Sequence, residues 1–290
     1  MVYRQVVPNI LSCLFVLFFV QISFLHAQDS TYTHITTISE KATFITTDKL
    51  LNVFVITERG ELIKYTPEGK EKFRYNNFSL GNPTLADATN PFQILLYYPE
   101  FQTIVTLDNT LNEAARYELF DLQVNEVEAL CFANDGNVWL YDPITFTLKK
   151  IDRNGEILLE SEIFTFLFDE LPQPNFIIER NNQIYLNDPA KGVFVFDVYA
   201  AFDELIELKD LTSFQILNRR IVYQKEENLE VFSPQMLLKS SRELPKLSNL
   251  VVGTGHALFL QQDWTVLHLH VQKNRLFLAT ENEIYFFEIR

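Results

Sequence analysis

The stretch that decides the fold is Asn182-Gln183-Ile184-Tyr185-Leu186-Asn187-Asp188-Pro189, followed after two residues by Gly192-Val193-Phe194-Val195-Phe196-Asp197. Two β-rich runs, each five or six residues long, flank a polar turn marked by Asp-Pro, which is the pattern of paired short strands. The same order returns along the chain. Asn137-Val138-Trp139-Leu140-Tyr141-Asp142-Pro143 leads to Thr147 through Gly155, and Asn52-Val53-Phe54-Val55-Ile56-Thr57 leads to Glu61 through Gly69. Weaker copies pair 92–98 with 103–108, 220–224 with 228–233, and 275–280 with 283–288.

The residues closing the second run are Tyr65, Leu107, Ile151, Phe196, Phe232 and Phe287, separated by 42, 44, 45, 36 and 55 positions. A period near forty is the size of a four-stranded propeller blade. Each pair has a β-rich run in front of it and several have one behind. Turn chemistry agrees, because Asn134-Asp135-Gly136, Arg153-Asn154-Gly155 and Glu68-Gly69 supply residues tolerant of positive φ where hairpins need them. Runs such as 193–196 are apolar without strict alternation, as expected of strands packed on both faces. Segments 157–171 and 199–210 have helical alternatives, but an outer strand followed by a loop suits the repeat better.

The chain stops at Arg290, directly after the third strand of the sixth unit. Near the start, Tyr32-Thr33-His34-Ile35-Thr36-Thr37-Ile38 is a β-branched run with no sequential partner. It is expected to complete the last sheet, closing the ring and covering an edge. The predicted fold is therefore all-β: a six-bladed β-propeller of four-stranded antiparallel blades near 43–77, 83–122, 128–164, 175–208, 213–244, and 266–290 plus 32–38. On these residues the sequence resembles the six-bladed β-propeller superfamily with degenerate YVTN-like, NHL-like or quinoprotein-like repeats. The resemblance covers nearly all of 28–290. Those families use Gly often in their turns, whereas this chain of 290 residues has 8.

Residues 1–27 read as a secretory signal peptide: Arg4 at the start, an apolar stretch from Ile10 to Val20, and a small residue, Ala27, at the cut site. The rival reading is an uncleaved anchor over Val6 to Leu25, which has about the length of a bilayer span; Gln21, Ser23 and His26 weaken it. Cys13 precedes the main apolar run and so is wrongly placed for lipid attachment. The expected location is outside the cytoplasm, periplasmic or extracellular, with no membrane span after cleavage. Asp plus Glu outnumber Lys plus Arg by 38 to 24, and losing the leader with Arg4 takes the formal charge from −14 to −15. Such a chain repels phosphate backbones, and no basic patch offsets it, so nucleic acid is not an expected partner.

The 26 Phe are expected to fill wedge-shaped gaps between blades. Trp139 aligns with Tyr185 and Phe54 in the repeat, which makes it core, and Cys131, between Leu130 and Phe132, reads as a buried small hydrophobe. Asp108, Asp152, Asp197 and Glu288 share one repeat position and are expected to form turns. The sequence contains no calcium loop, Gly-x-Ser-x-Gly elbow, His-Glu-x-x-His pair or Cys-x-x-Cys-His site, so catalytic residues are unassigned and no metal or cofactor is expected.

What remains is a contact loop. The 55-residue final spacing concentrates spare length between Glu243 and Thr265, and the residues singled out there and beside it are His256, Trp264, His268 and His270. His268 and His270, two apart on an inner strand, point the same way. They could supply two metal positions only with a third ligand from elsewhere, such as His34, His256 or an acid; ordinary strand roles are the stronger reading. The leading expectation is a non-catalytic, monomeric propeller acting as a protein-interaction or assembly module, partnered by another protein of a bacterial cell envelope. The alternative is a small-ligand binder or a metal- or quinone-dependent enzyme, lactonase-like or quinoprotein-like, with its site at the central channel.

Overall fold

A computed structural model describes residues 31–122, 124, 126–247 and 266–290. The leader, His256 and Trp264 lie outside these residues. Six four-stranded antiparallel sheets make up the fold, each a meander from an inner to an outer strand. The first four blades are β2–β5 (Ala42–Thr47, Val53–Thr57, Leu62–Tyr65, Glu71–Tyr75), β6–β9 (Leu85–Asn90, Gln93–Tyr98, Thr103–Asp108, Glu113–Glu118), β10–β13 (Leu130–Phe132, Val138–Asp142, Thr147–Ile151, Ile157–Glu160) and β14–β17 (Phe176–Arg180, Gln183–Asp188, Gly192–Asp197, Phe202–Ile206). Blade 5 is β18–β21 (Gln215–Leu217, Arg220–Lys225, Asn228–Ser233, Leu238–Glu243). Blade 6 is β22–β24 (His268–Gln272, Arg275–Ala279, Ile284–Ile289) completed by β1 (Tyr32–Ile38).

The six-bladed propeller expected from the repeat is thus the observed fold, and its ring closes as the run at 32–38 implied. β1 pairs antiparallel with β24, from Tyr32 opposite Ile289 to Ile38 opposite Ile284. Closure through backbone hydrogen bonds between the two chain ends occupies the edge of β24 that would otherwise be open.

Middle strands bury both faces because each sheet packs between two others. Val53 to Thr57 and Val138 to Asp142 are buried throughout. Aromatic rings fill the seams. Between blades 3 and 4, Phe164 stacks on Phe196 at 5.3 Å and on Tyr141 at 5.4 Å, while Phe168 meets Phe194 and Phe202 edge-on. Burying a ring of this size contributes roughly 1.5 to 3 kcal/mol. Phe164 opens a single helical turn, Phe164–Leu167, where a plain loop was expected. The turn forms because Phe164 N–H donates to Phe146 O and Phe168 N–H to Phe164 O, a geometry that aims the ring into the seam.

Few glycines suffice because the turns are held by side chains. Seven hairpins share one geometry, beginning at Asp48, Thr57, Thr66, Asp108, Ala133, Asp152 and Asp197: the first residue's C=O accepts from the N–H three residues on, and its N–H donates to the C=O four residues on. The fourth residue is left-handed in each. Four hairpins place Gly there (Gly60, Gly69, Gly136 and Gly155), but the others place Leu51 (φ 69°), Leu111 (φ 62°) and Ala200 (φ 65°). A left-handed L-residue costs about 1–2 kcal/mol. All three of these turns begin with Asp, whose carboxylate accepts backbone N–H groups two and four residues on. At Asp108 these bonds, led by the one from Asn112 N–H, hold the carboxyl down at about 2. Asp108, Asp152 and Asp197 are therefore turn formers, as expected from the repeat. Glu288 is not: it lies within β24, paired with Thr33 of β1 and Arg275 of β23.

Candidate functional site

The inner strands β2, β6, β10, β14, β18 and β22 surround a central cavity of about 1410 Å³. Successive residues of a strand point to opposite faces, which brings Asp87, Arg180, Gln215, His268 and His270 from four different strands to the wall. The cavity exceeds the 300–1,000 Å³ typical of small-molecule sites.

Several of its polar groups tie inner strands of different blades together. Gln215 Oε1 accepts from Val271 N–H at 2.6 Å, and Gln215 Nε2 donates to Val271 O at 3.1 Å and to His270 Nε2 at 2.7 Å. The two bonds to Val271 fix the orientation of the amide. His270 Nε2 must therefore accept, which leaves the ring neutral with its proton on Nδ1. Burial, reinforced by the Arg180 charge, pushes the imidazole down to about 3. His270 is only partly buried, so water tempers that shift. Burial also lowers His268.

Elsewhere on the wall, Asp87 accepts from Phe132 N–H in the next blade and from Thr89 N–H. Arg180 donates to Glu179 O and reaches Thr89 Oγ1 of blade 2 at 2.5 Å. Its neighbour Glu179 turns the other way into the seam, where its carboxylate takes Trp139 Nε1–H at 2.7 Å, Asn134 Nδ2–H at 2.7 Å and Asn134 N–H at 3.2 Å. Trp139 is fully buried and Glu179 nearly so, so Trp139 is core with a polar partner that no local signal announces. Cys131 is also buried, and burial first, then the Asp87 charge, raises its thiol well above the ordinary range.

Of the singled-out residues, the structure brings His268 and His270 together on the channel wall. It removes His34 from consideration as a third ligand. His34 lies on β1, the outermost strand of its blade, where it bonds Thr37 Oγ1 and packs edge-on to Phe287. Among the described residues no group of three or more His, Cys, Asp or Glu is placed to hold a metal.

A second surface was not foreseen. Loops entering each inner strand and loops joining its second and third strands emerge at the same end of a four-stranded meander. On blades 2 and 3 and at the entry to blade 4 these loops expose Phe78, Phe101, Phe120, Ile144, Ile163 and Phe166, with Phe120 at 73% and Phe166 at 74% exposure. Part of the Phe content therefore faces water, contrary to the expectation that Phe fills seams. The turns that carry these side chains are tied together. A Cβ on Gly81 would lie 2.5 Å from Glu100, and Leu119 N–H donates to Gln102 O at 2.8 Å, which joins the turns Phe78–Leu80, Pro99–Phe101 and Leu119–Leu122. Phe164 N–H to Phe146 O joins the Ile144 loop to that of Ile163 and Phe166.

No family model matches the sequence, and no curated protein does. Solved structures do. A catalytically inactive virginiamycin B lyase from Staphylococcus aureus with quinupristin aligns over 89% of this chain and 100% of its own at 10% identity, TM-score 0.61. A streptogramin B lyase aligns over 89% and 97% at 9% identity, TM-score 0.59. The Pan2 WD40 domain of Neurospora crassa aligns over 89% and 95% at 11% identity, TM-score 0.57. The likeness is one of fold. Two lyases and a WD40 domain on one scaffold show why the site, and not the fold, must decide function.

Proposed function

We propose that this protein is an exported, non-catalytic β-propeller that serves as a protein-interaction or assembly module of a bacterial cell envelope. The observation that carries the reading is the set of six large apolar side chains held exposed on loops at one end of adjacent blades. Exposed apolar clusters of this kind mark contact surfaces. The bonding of Gln215, His270, Asp87 and Arg180 within the channel supports the non-catalytic part, since these groups brace neighbouring strands. The leader-like residues 1–27 support export.

The test is cross-linking in the envelope fraction, followed by reconstitution with purified components. One protein recovered at constant ratio, and rebinding in vitro, is the expected result. A chain recovered alone, with a small molecule retained one per propeller, overturns the reading.

The cavity favours a second reading, a small-ligand binder or a metal- or quinone-dependent enzyme acting in the channel. Stoichiometric metal or a quinone absorption band in the purified protein would establish it.

A further inference from the structure

The loops at the exposed end of blades 2 and 3 span 76–84, 99–102, 119–129, 143–146 and 161–175. Together they hold seven carboxylates, Glu100, Asp121, Glu126, Glu128, Glu162, Asp169 and Glu170, and no Lys, Arg or His. All seven are exposed. Among the described residues only Glu170 has an ion-pair partner, Lys191 of the neighbouring blade at 3.6 Å. The same loops carry Phe78, Phe101, Phe120, Ile144, Ile163 and Phe166. Large apolar side chains and uncompensated negative charge therefore occupy one continuous stretch of the ring.

We propose that this end of blades 2 and 3 is a docking face for a protein segment in which Lys or Arg alternates with apolar side chains. The inference rests on the interaction-module reading and gives it a location and a partner chemistry. Charge complementarity selects the occupant. Carboxylates on the loops attract a cationic segment from a distance, the apolar side chains supply the area to bury, and the exposed Phe faces accept Lys or Arg by cation–π contact. A second copy of this chain would oppose seven carboxylates with seven more, and an anionic lipid surface is repelled in the same way.

The probe is a fluorescent 16-residue peptide of alternating Lys and Leu or Phe, titrated into the mature chain and read by anisotropy. Controls are a peptide with Glu in place of Lys, a peptide with Ser in place of Leu and Phe, and vesicles of phosphatidylglycerol. The expected result is binding of the first peptide only. Binding should weaken at least tenfold with Phe101→Ser/Phe120→Ser/Phe166→Ser and also with Asp121→Asn/Glu162→Gln/Asp169→Asn. Salt should weaken it, and Leu50→Ser/Met236→Ser, at the opposite end, should leave it unchanged. The charge variant alters exposed side chains only, so it reports even where the Phe variant fails to fold.

Equal binding by all variants, equal binding of the Glu peptide, vesicle binding, or a dimer dissolved by the Phe variant each overturns the proposal. So does absence of peptide binding. If the envelope partner is then still recovered with the Phe variant, only the face is wrong; if no partner is recovered at all, the interaction-module reading fails with it.

Discussion

Removing the Glu179 side chain should separate blades 3 and 4 at their polar lock, and the cost can be worked from three hydrogen bonds. Glu179→Ala strands one group that cannot turn to water, Trp139 Nε1–H in a fully buried ring. Asn134 N–H and Nδ2–H belong to an exposed residue and can find solvent. An orphaned buried donor costs about 1–3 kcal/mol. The expectation is therefore about 2 kcal/mol, less where a water fills the vacated space. For a domain of this size that lowers the Tm by about 4–8 °C. Glu179→Gln should be mild, about 1 kcal/mol, because one amide oxygen can serve both donors that share Oε2 while Asn134 reverses its own amide. Urea unfolding of the four proteins of a Glu179→Ala/Trp139→Phe cycle measures the coupling, expected at about 1–3 kcal/mol because Phe has no N–H to strand. Additivity within about 0.5 kcal/mol, or an Ala variant as stable as the Gln variant, would refute the reasoning.

Three further outcomes follow from other parts of the ring. Gly192→Ala should destabilise by about 2–3 kcal/mol in the same assay, since φ is 128° and a Cβ would lie 2.3 Å from the backbone oxygen of Ile206, which is held by Leu208 N–H at 2.7 Å. His270, held neutral and pushed down to about 3 from an ordinary 6.5, makes folding pH-dependent. Below pH 6.5 the unfolded chain binds a proton that the folded protein refuses, so stability is full above 6.5 and falls as pH drops towards 3, by up to ~1.4 kcal/mol per pH unit. His270→Gln keeps an acceptor for Gln215 and should flatten the slope between pH 6.5 and 5; an unchanged slope would assign it elsewhere. In a chain of residues 28–290, which lacks Cys13, Cys131 should resist a thiol reagent in the native protein at pH 8 and react once per chain in guanidinium, because burial hides the sulfur and disfavours its thiolate.

What could be read in the residues was local. Short β-rich runs, turn residues and a repeat near forty determined six sheets, because strand preference and hairpin chemistry act over a few residues. Asp108, Asp152 and Asp197 were legible as turn formers for the same reason: their partners lie two and four residues away. The pairing of the run at 32–38 with the last blade followed from counting strands. Trp139 was legible as core by its place in the repeat.

The site was less legible. His268 and His270 do reach the channel, but nothing nearby in sequence announces that Gln215, 55 residues before His270, fixes its tautomer. Glu179 meets Trp139 across 40 residues and Arg180 meets Thr89 across 91.

By itself the sequence determined the number and size of the blades, the closure of the ring and the acidic charge, since each depends on neighbours along the chain or on a simple sum. Only the tertiary structure decided which phenylalanines fill seams and which face water. Phe164 and Phe166 stand two residues apart with the same side chain, yet one is fully buried between blades and the other is 74% exposed. Burial is set by what the neighbouring blade places opposite each ring, and that information is carried by residues far away in the chain.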